Sequence, residues 1–374
     1  MSIIINTNYM KILHISQLIG GLDVYIRNTI IYSEANFEYV IVRGKNDEAK
    51  PIVKYGKTVT EYKIDLYRSI SLLDFLGFFQ ILRIVRKEKP DIIHCHSSKG
   101  GLLGRIIGSL CGVRTFYTPH AFSFLSSGKK LNKQVYILIE KLTRFKTSIL
   151  ACSESEAKLA REVVKYKDNR VLVWQNSVPD ASRIIDQSEI DIEIPYIVTV
   201  GRPSYQKNTL FLIHVAKKVV TKLPHIKFYI VGVGHYSPRL DLVTKYISDN
   251  GLQKNIFLIP WSSQEDTYRY ILKAEFYLSV ARYEGLPLAI IEAMSLSKPI
   301  IASKVAGNVD CVENGSNGYL LDLDDELFTN RIIELLEGDS IKVGFAKKSR
   351  EMFEERFQIK NTIAKLEGIY KLGV

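Results

Sequence analysis

Apolar positions along this chain alternate between short runs and longer segments. Runs of β-branched and aromatic residues at 11–16, 37–43, 91–97, 115–120, 148–153 and 170–176 predict strands, and segments with helical apolar spacing separate them. A polar, proline-containing stretch at 177–195 interrupts this rhythm, which restarts with runs at 196–201, 226–231, 255–260, 276–280 and 299–303. Strands that alternate with helices predict parallel sheets covered by helices, so the fold class is α/β with two Rossmann-like halves. The expected domains are 1–186 and 187–355. Residues 340–372 are helical in composition, and the last of them, 356–374, are expected to pack back on the first domain as a C-terminal helix. No short internal repeat or low-complexity tract points to a solenoid.

Length agrees with two domains, because 374 residues exceed what one hydrophobic core usually organises. A cleft between two parallel sheets is the expected place for a ligand. With 46% hydrophobic and 24% charged residues the chain is neither disordered nor fibrous. The opening Met-Ser-Ile-Ile-Ile-Asn-Thr-Asn-Tyr lacks the basic start and apolar run of a signal peptide, so a cytoplasmic protein is expected. The most apolar stretch, 71–85, is interrupted by Asp74, Gln80 and Arg83 and falls short of the ~20 residues of a membrane span. Cys95, Cys111, Cys152 and Cys311 are scattered without CxxC spacing, which argues against a disulfide framework and a zinc ribbon.

Charge is divided unevenly. Residues 1–186 carry 28 Lys+Arg against 17 Asp+Glu, whereas 187–374 carry 23 of each, so the whole net charge of +11 falls in the first half. A basic domain suits an anionic partner such as a membrane surface or a diphosphate lipid. Solubilising lysines are the plainer alternative. Nucleic acid is not an expected partner, since no recognised binding motif accompanies the charge. Two stretches have the composition of interfacial amphipathic helices: 71–89 with Arg83, Arg86, Lys87 and Lys89, and 122–146 with Lys129, Lys130, Lys133, Lys141, Arg144 and Lys146. A core-facing helix with a solvated basic side has the same composition.

The strongest chemical motif is Arg282-Tyr-Glu-Gly-Leu-Pro-Leu-Ala-Ile-Ile-Glu292-Ala-Met, which follows a predicted strand and opens a helix. With Glu284 in the loop and Glu292 two turns into the helix, the helix rise limits their separation to roughly 12 Å. A nucleoside diphosphate sugar fits that span: one carboxylate takes sugar hydroxyls, the other both ribose hydroxyls, and the amides of Gly285, Leu286, Pro287 and Leu288 flank the diphosphate, Pro287 contributing no N–H. The second motif is Gly201-Arg-Pro-Ser-Tyr-Gln-Lys207-Asn, directly after the first strand of the second half. Arg202 and Lys207 are cations at the carboxyl end of a parallel strand, suited to a departing diphosphate. Gly20-Gly21 at a strand-to-helix turn lets backbone approach a phosphate or acceptor, although a tight turn alone also explains it. Neither Gly20-Gly-Leu-Asp-Val-Tyr nor Gly232-Val-Gly234-His-Tyr-Ser completes G-x-G-x-x-G, which disfavours a nicotinamide or flavin oxidoreductase.

Together these motifs resemble the donor site of retaining glycosyltransferase family 4, of the GT-B fold. The resemblance extends to Gly20-Gly21, Thr118-Pro-His120-Ala-Phe, Cys152-Ser-Glu-Ser-Glu156 and Asn314-Gly-Ser-Asn-Gly318. It implies that His120 contacts the transferred sugar, Arg202 and Lys207 hold the diphosphate, Glu284 binds sugar hydroxyls and Glu292 the ribose, with His120, Glu284, Arg202 and Lys207 as the catalytic set and Gly20, Gly21 and 285–288 completing the donor site. It also implies retaining transfer, without metal or cofactor, from a nucleotide sugar, a UDP-hexose or UDP-N-acetylhexosamine, to a lipid-linked saccharide in capsule or O-antigen synthesis. Such an enzyme is expected to be peripheral on the inner face of the cell membrane. A sugar-nucleotide epimerase of the same fold and a non-catalytic, membrane-docked binding subunit are the competing readings. His94 and His96 share one strand face like a metal pair, but with no third ligand in view they read as strand-end histidines. Asp322-Leu-Asp324 reads as a solvated loop.

Overall fold

A computed structural model describes residues 9–34, 36–67, 73–185, 192–234 and 237–372. Expectations for residues 1–8, for the start of the 71–89 stretch and for a boundary at 186/187 fall outside the described residues. The chain divides into two compact units, Met1–Ser177 with Ile359–Val374, and Val178–Gln358. The final helix therefore belongs to the first unit.

In the first unit, β1 (Met10–Ile15), β2 (Phe37–Gly44), a hairpin of β3 (Val53–Lys54) and β4 (Lys57–Thr58), β5 (Thr60–Ile64), β6 (Ile92–His96), β7 (Arg114–Thr118), β8 (Ser148–Ala151) and β9 (Val171–Val173) alternate with α1 (Gly21–Tyr32), α2 (Leu73–Glu88), α3 (Ser97–Cys111), α4 (Lys130–Leu142) and α5 (Glu154–Glu162). Seven of these strands form one sheet in the order β5-β2-β1-β6-β7-β8-β9, and the registered pairs are all parallel. Buried on both faces, its strands read as continuous apolar runs such as Val40, Ile41 and Val42. A helix from the far end of the chain (Ile359–Lys371) closes this unit: Tyr370 is buried against Phe37 and Phe116, and the Trp174 indole N–H donates to the Thr362 carbonyl at 3.1 Å.

The second unit contains β10 (Tyr196–Val200), β11 (Lys227–Val233), β12 (Ile256–Pro260), β13 (Tyr277–Ser279), β14 (Ile300–Ser303) and β15 (Gly318–Leu321) in the order β12-β11-β10-β13-β14-β15. Between and after them run α6 (Thr209–Lys222), α7 (Leu240–Asp249), α8 (Gln264–Lys273), α9 (Leu288–Ser295), the short α10 (Asn308–Cys311), α11 (Asp325–Glu337) and α12 (Asp339–Arg356); the terminal helix of the first unit is α13. Strand order reverses beside β10, between β11 and β13, and open α/β sheets bind ligands at such a point, beyond the carboxyl ends of the strands. Asp324, part of the expected loop, caps α11 by accepting from the Leu327 N–H at 2.9 Å. Arg350 of α12 grips both oxygens of Asp180, at 2.6 and 2.8 Å, and donates to the Ser295 carbonyl at the end of α9. That guanidinium holds the Asp180 carboxyl down at about 2.

Candidate active site

In the second unit, the loops after β10 and β13 converge on Glu284. The buried Glu284 carboxylate accepts from Lys207 Nζ at 2.8 Å through Oε1 and from Gln206 Nε2 at 3.1 Å through Oε2. The two loops are further joined by the Arg282 N–H, which donates to the Gln206 carbonyl at 2.8 Å. Burial pulls the Lys207 ammonium downward, but the Glu284 charge, Tyr277 and the hydrogen bond outweigh it and raise the pKa above the ordinary lysine value. Arg202 is close enough to oppose that rise. Lys207 thus stays cationic beside a second cation.

Local backbone geometry explains how these groups are brought together. Gly201 directly follows β10 with φ 144°, and a Cβ there would come within 2.7 Å of Lys207 Cε, so the lysine stem lies across the glycine. Gly307 has φ 82°, and a Cβ would meet the Gly285 carbonyl oxygen at 2.7 Å; the turn before α10 is thereby packed flat against the loop carrying Gly285. The Glu284 N–H donates to Ala306 O in the same turn at 3.3 Å. Gly285, Leu286 and Pro287 are buried and lead directly into α9, whose first residue is Leu288.

Glu292 sits on α9 facing α8. Gln264 and Tyr268, one turn apart on α8, each donate to its Oε1 at 3.3 Å. These bonds do not offset burial, which lifts the Glu292 carboxyl to about 7. The structure therefore groups Arg202, Lys207, Glu284, 285–288 and Glu292 within one unit, and adds Gln206, Tyr205 and Gly307. Tyr205 lies under the Arg282 guanidinium, 4.7 Å from its ring centroid.

Gly20, Gly21 and His120 belong to the first unit. Gly20 has φ 58° at the start of α1. His120 and Ala121 both have positive φ, 52° and 76°, a conformation costing a non-glycine residue of order 1 kcal/mol or more. Glu156 clamps the turn: its Oε1 accepts from Ala121 N–H at 2.8 Å and its Oε2 from Cys152 N–H at 2.9 Å. The sequence motif around Glu156 was visible, but nothing in it announced this clamp.

The view that His94 and His96 lack a third neighbour is corrected. His14 on β1 is in register with His94 on β6, and ring nitrogens of His14, His94 and His96 lie within 4.8 Å of one another. The donor set nevertheless argues for a hydrogen-bonded polar core over a metal site. Thr118 Oγ1 donates to the Leu150 carbonyl at 2.7 Å, so at 2.8 Å it accepts from His94 Nε2–H, and the Tyr370 hydroxyl at 2.7 Å then donates to His94 Nδ1. Both His94 nitrogens are thus engaged.

Comparison with known proteins follows the same division. Residues 180–356 match the family described as Glycosyl transferases group 1, and residues 19–182 match Glycosyltransferase Family 4. An Escherichia coli UDP-Gal:alpha-D-GlcNAc-diphosphoundecaprenol alpha-1,3-galactosyltransferase is 30% identical over 89% of this chain and 91% of its own. The Staphylococcus aureus capsular polysaccharide biosynthesis glycosyltransferase CapM is 24% identical over 88% of this chain and 91% of its own. Among solved structures, sucrose-phosphate synthase from Thermosynechococcus elongatus superposes with TM-score 0.81 at 17% identity, covering 97% of this chain and 98% of that one. Anabaena HepE in complex with UDP and glucose gives TM-score 0.78 at 16% identity, covering 97% and 100%. Motifs, sheet order and relatives agree: the chain belongs to the family 4, group 1 glycosyltransferases and is a glycosyltransferase of the GT-B fold.

Proposed function

We propose that this enzyme transfers a hexosyl or N-acetylhexosaminyl group from a UDP-sugar to a lipid-linked saccharide in capsule or O-antigen synthesis, with retention of anomeric configuration and without a metal. The observation that carries this reading is the Lys207–Glu284 pair beside Arg202, on the loops after β10 and β13, with Glu292 presented by the following helix. Arg202 and Lys207 are assigned to the diphosphate, Glu284 to sugar hydroxyls, Glu292 to the ribose, and the amides around Gly285 to the phosphate oxygens. His120 is assigned the contact to the transferred sugar on the family resemblance. The relative that uses UDP-Gal and a diphosphoundecaprenol-linked acceptor supports the donor and acceptor classes. The enzyme is incubated with UDP-sugars and undecaprenyl-diphosphate-linked GlcNAc in excess EDTA. An α-linked product with full turnover is expected; inversion, or loss of turnover rescued by magnesium, contradicts the mechanism. Conversion of donor without acceptor points instead to an epimerase.

A cytoplasmic-face, peripheral location is part of the same proposal. No helix among the described residues is long and apolar enough to cross a membrane. On α4, Leu131, Val135, Leu138 and Leu142 form an exposed stripe at helical spacing, with Leu131 75% and Leu142 68% accessible. On α2, Phe75, Leu76 and Phe79 are exposed. Lysines flank the α4 stripe, the composition of a helix that lies in an anionic interface. Binding to vesicles containing phosphatidylglycerol is expected to fall steeply between roughly 0.05 and 0.5 M salt, because exposed charges are screened beyond about 10 Å at 0.1 M. The double variant Leu131→Gln/Leu142→Gln is expected to bind more weakly at every salt concentration. Equal binding to neutral and anionic vesicles contradicts the electrostatic part.

A further inference from the structure

Three histidines of the first unit form a hydrogen-bonded chain leading to the positive-φ turn. His14 Nδ1 is 2.9 Å from His96 Nε2, and His96 Nδ1 is 3.2 Å from His120 Nε2. Burial pushes the imidazoles of His14 and His120 down to about 3, and holds His96 well below the ordinary histidine value. All three rings are therefore neutral near pH 7, with one N–H each. A chain of neutral imidazoles has two polarities. If His14 Nδ1–H donates to His96 Nε2, then His96 Nδ1–H donates to His120 Nε2, and His120 carries its proton on Nδ1. If the chain runs the other way, His120 carries its proton on Nε2, and His14 carries its own on Nε2.

The outer nitrogen of His14 decides between them. His14 is fully buried, and its Nε2 has no hydrogen-bond partner among the described residues. The second polarity places an unpaired N–H there; the first leaves a bare lone pair, and orphaned buried N–H groups are rarer than under-used acceptors. We propose that His14 and His96 are positioning residues that lock His120 in its Nδ1–H tautomer, so that His120 meets its ligand as a hydrogen-bond donor and not as a general base. Free imidazole favours the Nε2–H form, so the lock is visible as a departure from it. The consequence for sugar transfer rests on the assignment of His120 to the transferred sugar; the tautomer does not.

Long-range proton–nitrogen NMR spectra of the full chain, labelled with nitrogen-15 at histidine, report which ring nitrogen carries each proton. His120 and His96 are expected as Nδ1–H, with His94 as Nε2–H beside them for reference. In His14→Asp a carboxylate oxygen takes the place of His14 Nδ1 and accepts from His96 Nε2–H, so the chain reverses and His120 is expected to shift toward Nε2–H. His120 found as Nε2–H in the parent protein, or unchanged in a folded His14→Asp variant, overturns the proposal. Should His14→Asp not fold, His96→Phe and His96→Gln replace it: Phe is expected to release the lock, while Gln, which keeps one amide donor toward His120, restores it. Kinetics separate the two claims. A roughly tenfold fall in kcat for His96→Phe at unchanged donor KM, partly recovered in His96→Gln, is expected if the donated hydrogen bond acts on the transferred sugar. A shifted His120 tautomer with undiminished kcat removes the sugar contact and leaves the lock standing.

Discussion

Glu292→Ala is expected to raise the donor KM by roughly 30- to 150-fold with kcat nearly unchanged, and Glu284→Ala to lower kcat by on the order of 100-fold with donor KM unchanged or lower. The two residues differ in what they touch. Glu292 is assigned a contact to the ribose, made about equally in the bound donor and in the transition state, so its loss removes uniform binding. Glu284 is assigned to the sugar, whose ring becomes cation-like as the bond to the diphosphate breaks, so its carboxylate stabilises that state more than the ground state. The Lys207–Glu284 ion pair sharpens the contrast. Removing Glu284 frees Lys207 from its counter-carboxylate, and the lysine charge then falls wholly to the diphosphate. Steady-state kinetics at saturating acceptor, on variants whose circular dichroism and melting match the parent, decide the matter. Equal falls in kcat at unchanged KM for both variants contradict the division of roles.

The second large effect concerns stability. Burial lifts the Glu292 carboxyl from the ordinary 4.5 to about 7. For an acid whose pKa is higher folded than unfolded, folding favours the protonated form, so the contribution is fully present below 4.5 and is lost as pH rises through about 7. The loss amounts to roughly 3 kcal/mol by pH 8, most of it between pH 5 and 7. Glu292→Gln keeps groups that can pair with Gln264 and Tyr268 but cannot ionise. It is expected to melt at a clearly higher temperature than the parent at pH 8, with most of that advantage gone at pH 5. On the assignment of Glu292 to the ribose, donor binding runs the opposite way: the ionised carboxylate is the form that accepts from both ribose hydroxyls, so the parental donor KM is expected to fall as pH rises through 7. A melting difference independent of pH contradicts the burial argument.

Most of the parallel-sheet rhythm was legible because doubly covered strands concentrate apolar residues. In the two parallel sheets β5 and β15 escaped, and outside them the short β3–β4 hairpin did too. β5 (Thr-Glu-Tyr-Lys-Ile) is an edge strand in which Glu61, paired with the buried Arg43, and the exposed Lys63 break up the apolar run and blunt its signal. β15 is four residues long and begins at Gly318, so it looked like the end of a turn. The unit division was less legible than the strands, since the backbone passes from one unit to the other at Ser177, inside a polar stretch that carries no internal marker of the switch.

At the candidate site, the charged residues were readable because Arg202, Lys207, Glu284 and Glu292 lie in two compact motifs. Their pairing was not, because Lys207 and Glu284 are brought together only by the adjacency of β10 and β13. Gln206 stood in view inside the first motif, yet its bond to Glu284 depends on the same adjacency. His14 was beyond reach: it is a lone histidine in an apolar strand, and only the register of β1 with β6 sets it beside His94. Gly307 is of the same kind, since its close approach to Gly285 joins turns distant in sequence.

The second unit is proposed to grip a nucleoside diphosphate through Arg202, Lys207 and Glu292, and calorimetric titration of the full chain with UDP measures that grip. Saturable binding is expected in the parent protein, weakened roughly 10- to 100-fold in each of Arg202→Ala, Lys207→Ala and Glu292→Ala, as loss of one charge-assisted hydrogen bond implies. Absence of UDP binding by the folded parent, or parental affinity in all three variants, would rule out a diphosphate site at these residues.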